Sequence, residues 1–142
     1  MSSKKYVLLS IKPQYAKLIK EGSKTIELRT KIPKLIKGDS LIFYETLPVQ
    51  KVTFTAVVDE IIVSKPEHLW KRYHEALGLS KQSYDNYFQD HEFAYGLLLK
   101  GVTIIQPTTL DSVFGKKTCP PQGFRYMSSN EYKLVTRFSA EK

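Results

Sequence analysis

The stretch GSKTIELR, Gly22 to Arg29, holds the break between two periodicities in this chain. Just before it, Pro13 stands where a helix can begin, and Tyr15, Leu18 and Ile19 recur at helical spacing. Lys17, Lys20 and Glu21 take the other face. Gly22 falls where a C-terminal cap belongs, because glycine enters the left-handed region with least strain. From Thr25 the period becomes two, with Ile26 and Leu28 pointing one way and Thr25, Glu27 and Arg29 the other. Alternate side chains on a strand leave the same face about 7 Å apart. Two readings fit this polar side. It is a solvated edge with a loose ion pair worth under about 1 kcal/mol, or it lines a cleft. In a cleft, Arg29 offers a planar donor fork to phosphate or a base edge, Lys24 a point charge, and Glu27 an acceptor. On spacing alone the solvated edge is the plainer reading.

Outward from this stretch, Tyr6 to Ser10 reads as a short buried strand, and Gly38-Asp39 as a turn into a strand over Leu41 to Glu45. Val52, Phe54, Ala56 and Val58 alternate on even positions, whereas Ile61 and Val63 are odd. One extra residue near Asp59-Glu60 reconciles them, so the spacing predicts a bulge there. Ser64-Lys-Pro-Glu67 matches a capping box, followed by an apolar stripe of Leu69, Trp70, Tyr73 and Leu77 that Gly78 ends. Ser80 is placed to cap a second short helix carrying Tyr84, Tyr87 and Phe88, and these aromatics read as core. Glu92 to Ile105 returns to an apolar β pattern as one or two strands. Gly115 to Met127, with two prolines and two glycines, reads as an ordered loop. Tyr132 to Phe138 reads equally as a strand or a helix. No regular strand–helix alternation appears, so the order predicts an α+β fold built on a small, mostly antiparallel barrel with helices beside it.

The chain has 142 residues, 42% of them hydrophobic, and shows no linker, repeat or low-complexity tract, so it is read as one domain over residues 1–142. Lysine and arginine number 22 against 14 acidic residues, a net charge of +8. That excess favours polyanions, most simply nucleic acid or the phosphates of a nucleotide. Cys119 is the only cysteine, which excludes an internal disulfide and a cysteine-based zinc cluster. No segment approaches about 18 apolar residues, and the first residues lack a signal-peptide pattern; a cytoplasmic protein without membrane contact is expected. His68, His74 and His91 do not have metal-ligand spacing. No metal and no cofactor are predicted.

The segment LSIKPQYAKLIKEGSKTIELR, Leu9 to Arg29, resembles the start of ASCH domains, the activating signal cointegrator homology family of the PUA-like superfamily. The family's Gly-x-Lys-x-x-Glu-x-Arg motif is filled here by Gly22, Lys24, Glu27 and Arg29. KGDSLIFYET (37–46), KPEHLW (65–70) and PPQGFRYM (120–127) are similar to the family's second strand pair, helix entry and closing loop. The resemblance implies a PUA-like β-barrel with flanking helices and a cleft where the motif side chains meet. It also implies that RNA or a nucleotide is the partner.

On this reading Lys12, Lys24, Glu27 and Arg29 bind the ligand, while Lys31, Lys34 and Lys37 add surface charge. Gln122, Arg125 and Tyr126 match a family segment near the cleft; Gln122 reads a base edge and Tyr126 stacks on a base. Three functions stay open. The cleft binds RNA or a nucleotide without reaction; it cleaves single-stranded RNA, with Lys24 and Glu27 as the catalytic pair; or it hydrolyses a modified cytidine. The third needs a hydroxyl where this chain has Glu27, and Thr25 is the nearest substitute. Arg29 should lower the proton affinity of Lys24 and Glu27 should raise it, with burial deciding the balance. A protein partner and the oligomeric state stay open.

Overall fold

The computed structural model describes residues 4–137. Helix α1 (Pro13–Glu21) begins on Pro13 and stops at Gly22, whose φ of 90° is left-handed and whose N–H reaches the Ile19 carbonyl at 3.1 Å. The strands are β1 (Tyr6–Ile11), β2 (Ile26–Arg29), β3 (Ser40–Glu45), β4 (Lys51–Ser64), β5 (Ala94–Thr108) and β6 (Phe124–Met127). They form one six-stranded sheet in the order β2-β5-β4-β3-β1-β6. Only β1 and β3 run parallel; the other neighbours are antiparallel. The parallel pair needs a crossover, and α1 with β2 lies between its two strands in sequence.

Both faces of the sheet are covered, so β1 alternates between two cores. Val7 and Leu9 pack with Ala16 and Ile19 of α1 and with Phe43 and Phe54, whose rings stack 4.5 Å apart. Leu8 packs with Ile42, Val113 of α4 (Leu110–Phe114) and Val135 of α5 (Ser129–Thr136). A third cluster gathers Ile26 and Leu28 of β2 under α2 (Pro66–Tyr73) and α3 (Lys81–Phe88), through Leu69, Leu77, Tyr84 and Phe88. The bulge falls as the phase slip predicts: the β4–β5 register shifts between Val58 and Glu60, which lets both Val58 and Ile61 reach the first core. Ser80 caps α3, its hydroxyl accepting from the Ser83 N–H.

Three expectations change and one open alternative is resolved. The ladder does not close into a barrel, because edge strands β2 and β6 do not pair with each other; the fold is an α+β arrangement on an open mixed sheet. Ser64 is not a helix cap. It is held in β4 opposite Ala94, its hydroxyl donates to the Lys65 carbonyl, and α2 begins one residue later with Lys65 as its cap position and Pro66 in its first turn. The segment Gly115 to Met127 is not all loop, since it ends in β6, which pairs antiparallel with β1. Residues 129–136 settle as helix α5, with a capping box between Ser128 and Glu131; Phe138, assigned to the same element above, lies outside the described residues.

Tyr84 yields a test of the third core. It is 1% exposed and its hydroxyl donates to the Pro66 carbonyl at 2.6 Å. Burial, then the charges of Asp85 and Glu67, push its phenol from 10.0 up to about 12. The folded state therefore keeps a proton that the unfolded chain loses above pH 10, so this group's stability falls as pH rises toward 12. Tyr84→Phe should lower stability at neutral pH by about 1 kcal/mol through the lost hydrogen bond. Its deficit against the parent chain should then shrink between pH 10 and 12 in urea denaturation; a deficit constant with pH would refute the assignment.

Candidate functional site

A cleft of about 580 Å³ opens where the ends of β1 and β2 face helix α3. The wall on the sheet side, from β1 through α1 to β2, includes Ser10, Lys12, Tyr15, Lys24, Glu27 and Arg29; the opposite wall, α3 and the residues before it, includes Leu79, Ser83, Asn86 and Tyr87. The period-two pattern of β2 explains the first wall. Ile26 is consumed by the third core, Leu28 touches both that core and the cleft, and Glu27 and Arg29 lie on the side of the cleft. The helical period explains the second. Tyr84 and Phe88 are buried, so Ser83, Asn86 and Tyr87, which share the other face of α3, turn outward.

Lys24 is 3% exposed, and its Nζ donates to the Leu77 carbonyl at 2.6 Å. The Tyr15 ring centroid lies 5.6 Å from the same nitrogen. Loss of water around the ammonium lowers the Lys24 pKa below 10.5; Glu27 opposes that shift and Arg29 adds to it. The decisive factor is burial, which the sequence did not supply. Gly78 makes room for the lysine. Its φ is +72°, and a Cβ there would lie 3.0 Å from Lys24 Cβ and 3.1 Å from both Lys24 Cδ and Leu18 Cδ1.

Buried Glu27 and half-buried Arg29 form an ion pair, Nε to Oε2 at 3.0 Å. The guanidinium continues past it, donating from Nη2 to the Ser10 carbonyl at 2.7 Å and from Nη1 to the Gly123 carbonyl at 3.3 Å. Arg29 ends β2, Ser10 lies in β1 and Gly123 directly precedes β6. One side chain thus spans the seam that the backbone ladder leaves open.

Of the residues singled out in the sequence, Lys12, Lys24, Glu27, Arg29 and Gln122 line this one cleft. Arg125 and Tyr126 are not among its lining residues. Arg125 lies over the Phe114 ring at 3.8 Å, and the Tyr126 hydroxyl accepts from the Lys34 N–H at 3.2 Å. Alternation along β6 sends these two neighbours to opposite faces. Thr25 is exposed and outside the lining, as are Lys31, Lys34 and Lys37. Tyr87 is the residue that the pattern misassigns: it is 43% exposed and lines the cleft, although Tyr84 and Phe88 beside it are core. All three sit at helical spacing, so no signal in the stripe separates them. Among the described residues no His, Cys, Asp and Glu side chains are grouped to hold a metal ion, and no helix is long and apolar enough to cross a membrane.

This constellation on a helix-flanked mixed sheet defines the class: residues 9–106 match the ASCH domain, and the chain belongs to that family. It is 33% identical over 136 residues to an ASCH domain-containing ribonuclease of Zymomonas mobilis, spanning 94% of this chain and 92% of that protein. The crystal structure of ASCH from Zymomonas mobilis superposes with a TM-score of 0.90 at 30% identity, covering 97% of this chain and 98% of that one. The N-terminal domain of Staphylothermus marinus McrB shares the fold at 10% identity, with a TM-score of 0.64 over 96% of this chain and 95% of that one.

Two substitutions test the geometry. Arg29→Lys keeps the charge but loses the fork, and should cost about 1–3 kcal/mol of stability. Amide hydrogen exchange should quicken at residues 122–127; unchanged exchange would mean that the seam is held by something else. Gly78→Ala forces a side chain into the left-handed region at about 1–2 kcal/mol and crowds Lys24, so it should lower the melting temperature more than alanine at exposed Gly115 does.

Proposed function

We propose that this chain binds single-stranded RNA in the cleft and cleaves it there. The observation that carries the reading is a desolvated lysine and a buried glutamate on one wall of a cleft that admits solvent. The likeness to a protein named as a ribonuclease, over nearly the whole chain, supports it. The net charge of +8 supports attraction of a polyanion.

The chemistry follows from what each group can do. Arg29 orients the Glu27 carboxylate, which accepts the proton of a ribose 2′-hydroxyl. The freed O2′ attacks the adjacent phosphorus, the P–O5′ bond breaks, and Lys24 gives a proton to the departing O5′. The products are a 2′,3′-cyclic phosphate and a 5′-hydroxyl. A lowered pKa makes Lys24 a better proton donor than an exposed lysine. Its hydrogen bond to Leu77 uses one of three ammonium protons and fixes where the others point. Lys12, exposed at the rim, supplies charge for a neighbouring phosphate. The cytidine-hydrolase reading draws no support from Thr25, which is exposed and outside the lining.

The test is end-labelled single-stranded RNA incubated with the parent chain, Lys24→Met and Glu27→Gln. Cyclic-phosphate products are expected, and each variant should be slower by about 100-fold or more. A strand with 2′-deoxyribose at the cleaved position should stay intact. Because Lys24 acts in its protonated form, the rate should fall on the alkaline side with a midpoint under pH 10.5. RNA retained without cleavage would remove the catalytic step and leave a binding module. No RNA retained at low salt would overturn the whole reading.

A further inference from the structure

The two walls of the cleft differ in kind. Every formal charge lining it, on Lys12, Lys24, Glu27 and Arg29, belongs to the sheet side. The α3 side presents Ser83, Asn86 and Tyr87, and Gln122 joins from the segment before β6. Charged groups suit a phosphate and a ribose; a neutral wall with a ring and carboxamides suits a nucleobase.

Tyr87 is held for such a role. Its hydroxyl donates to the Leu28 carbonyl at 3.3 Å, and its ring meets Phe88 edge-on at 4.8 Å. It nevertheless stays 43% exposed. A ring fixed in advance loses little freedom when a base stacks on it. Arg29 and Glu27 stand near enough for both charges to act on the Tyr87 hydroxyl. A carboxamide offers a donor and an acceptor side by side, the pattern that base edges present. A cleft of about 580 Å³ has space for one nucleotide rather than a duplex.

We infer that the α3 wall is a nucleobase subsite, in which Tyr87 stacks on the base beside the bound phosphate while Asn86 and Gln122 hydrogen-bond its edge. The assignment rests on the RNA reading and extends it by naming what selects the nucleotide. Stacking supplies affinity to any base; the two amides discriminate between bases.

Adenosine 5′-monophosphate and ribose 5-phosphate, titrated separately and followed by NMR, test it. In the parent chain the nucleotide should bind more tightly than the sugar phosphate and shift the Tyr87 ring protons upfield. Tyr87→Leu should weaken the nucleotide by about 5- to 100-fold, to the level of the sugar phosphate. Asn86→Ala, which keeps the ring, should retain the stacking shift but narrow the differences among the four mononucleotides. Equal binding of nucleotide and sugar phosphate, or a nucleotide preference that survives Tyr87→Leu, would overturn the subsite even where RNA is cleaved. A nucleotide shift at Tyr87 without any RNA affinity would keep the subsite and overturn the RNA reading instead. The ring shift is read on the parent chain, so the outcome does not depend on a variant folding.

Discussion

The guanidinium of Arg29 ties together what the backbone leaves apart. It binds the Glu27 carboxylate and two carbonyls, Ser10 and Gly123, that belong to the far side of the sheet. Strands β2 and β6 are the sheet's two edges, and no ladder joins them. A side-chain bridge with a planar fork can span such a gap where strand pairing cannot, because each N–H has its own direction. The cleft lies beside this bridge. Arg29 and two of its partners, Glu27 and Ser10, line that cleft.

This placement alters the role of the arginine. A free guanidinium in a basic cleft would serve as a phosphate clamp, yet three of its N–H directions already have protein partners. The residue holds the carboxylate and the closing segment in position, and Lys12, exposed at the rim, is the lining cation with open surface. Lys24 is a product of the fold in a further sense. Its ammonium is desolvated because the turn after α2 lays the Leu77 carbonyl and the open backbone of Gly78 against it. Helix α2 and its following turn therefore tune the site without reaching into it.

Local patterns were legible wherever one residue type had one stable solution. Gly22 ends a helix, Ile26 and Leu28 alternate with Glu27 and Arg29, and the odd-even slip at Asp59-Glu60 becomes a register shift. Patterns with two solutions were not legible. Ser64 satisfies the capping-box spacing, but pairing with Ala94 holds it in the strand and Pro66 starts the helix one residue later. Phe124 to Met127 alternates as a strand does, yet as a short edge it buries only Met127, so the apolar signal is faint. The Arg29 bridge to the Gly123 carbonyl joins residues 94 positions apart, which periodicity does not encode. The polar side of β2 was equally open to two readings until burial was known.

Buried charge is a poor way to stabilise a fold, since desolvation offsets most of the attraction even in a well-formed pair. A scaffold under selection for stability alone would be better served by apolar residues at positions 27 and 24, as in the cores on either side of the sheet. At Ile26 and Leu28, the immediate neighbours, the chain makes that choice, and both are packed in hydrocarbon. Lys24 and Glu27 are instead buried and Arg29 half-buried, while the buried carboxylates Asp39 and Glu45 elsewhere each pair with a lysine. Across the cleft α3 presents the neutral side chains of Ser83, Asn86 and Tyr87, so formal charge is confined to the opposite wall.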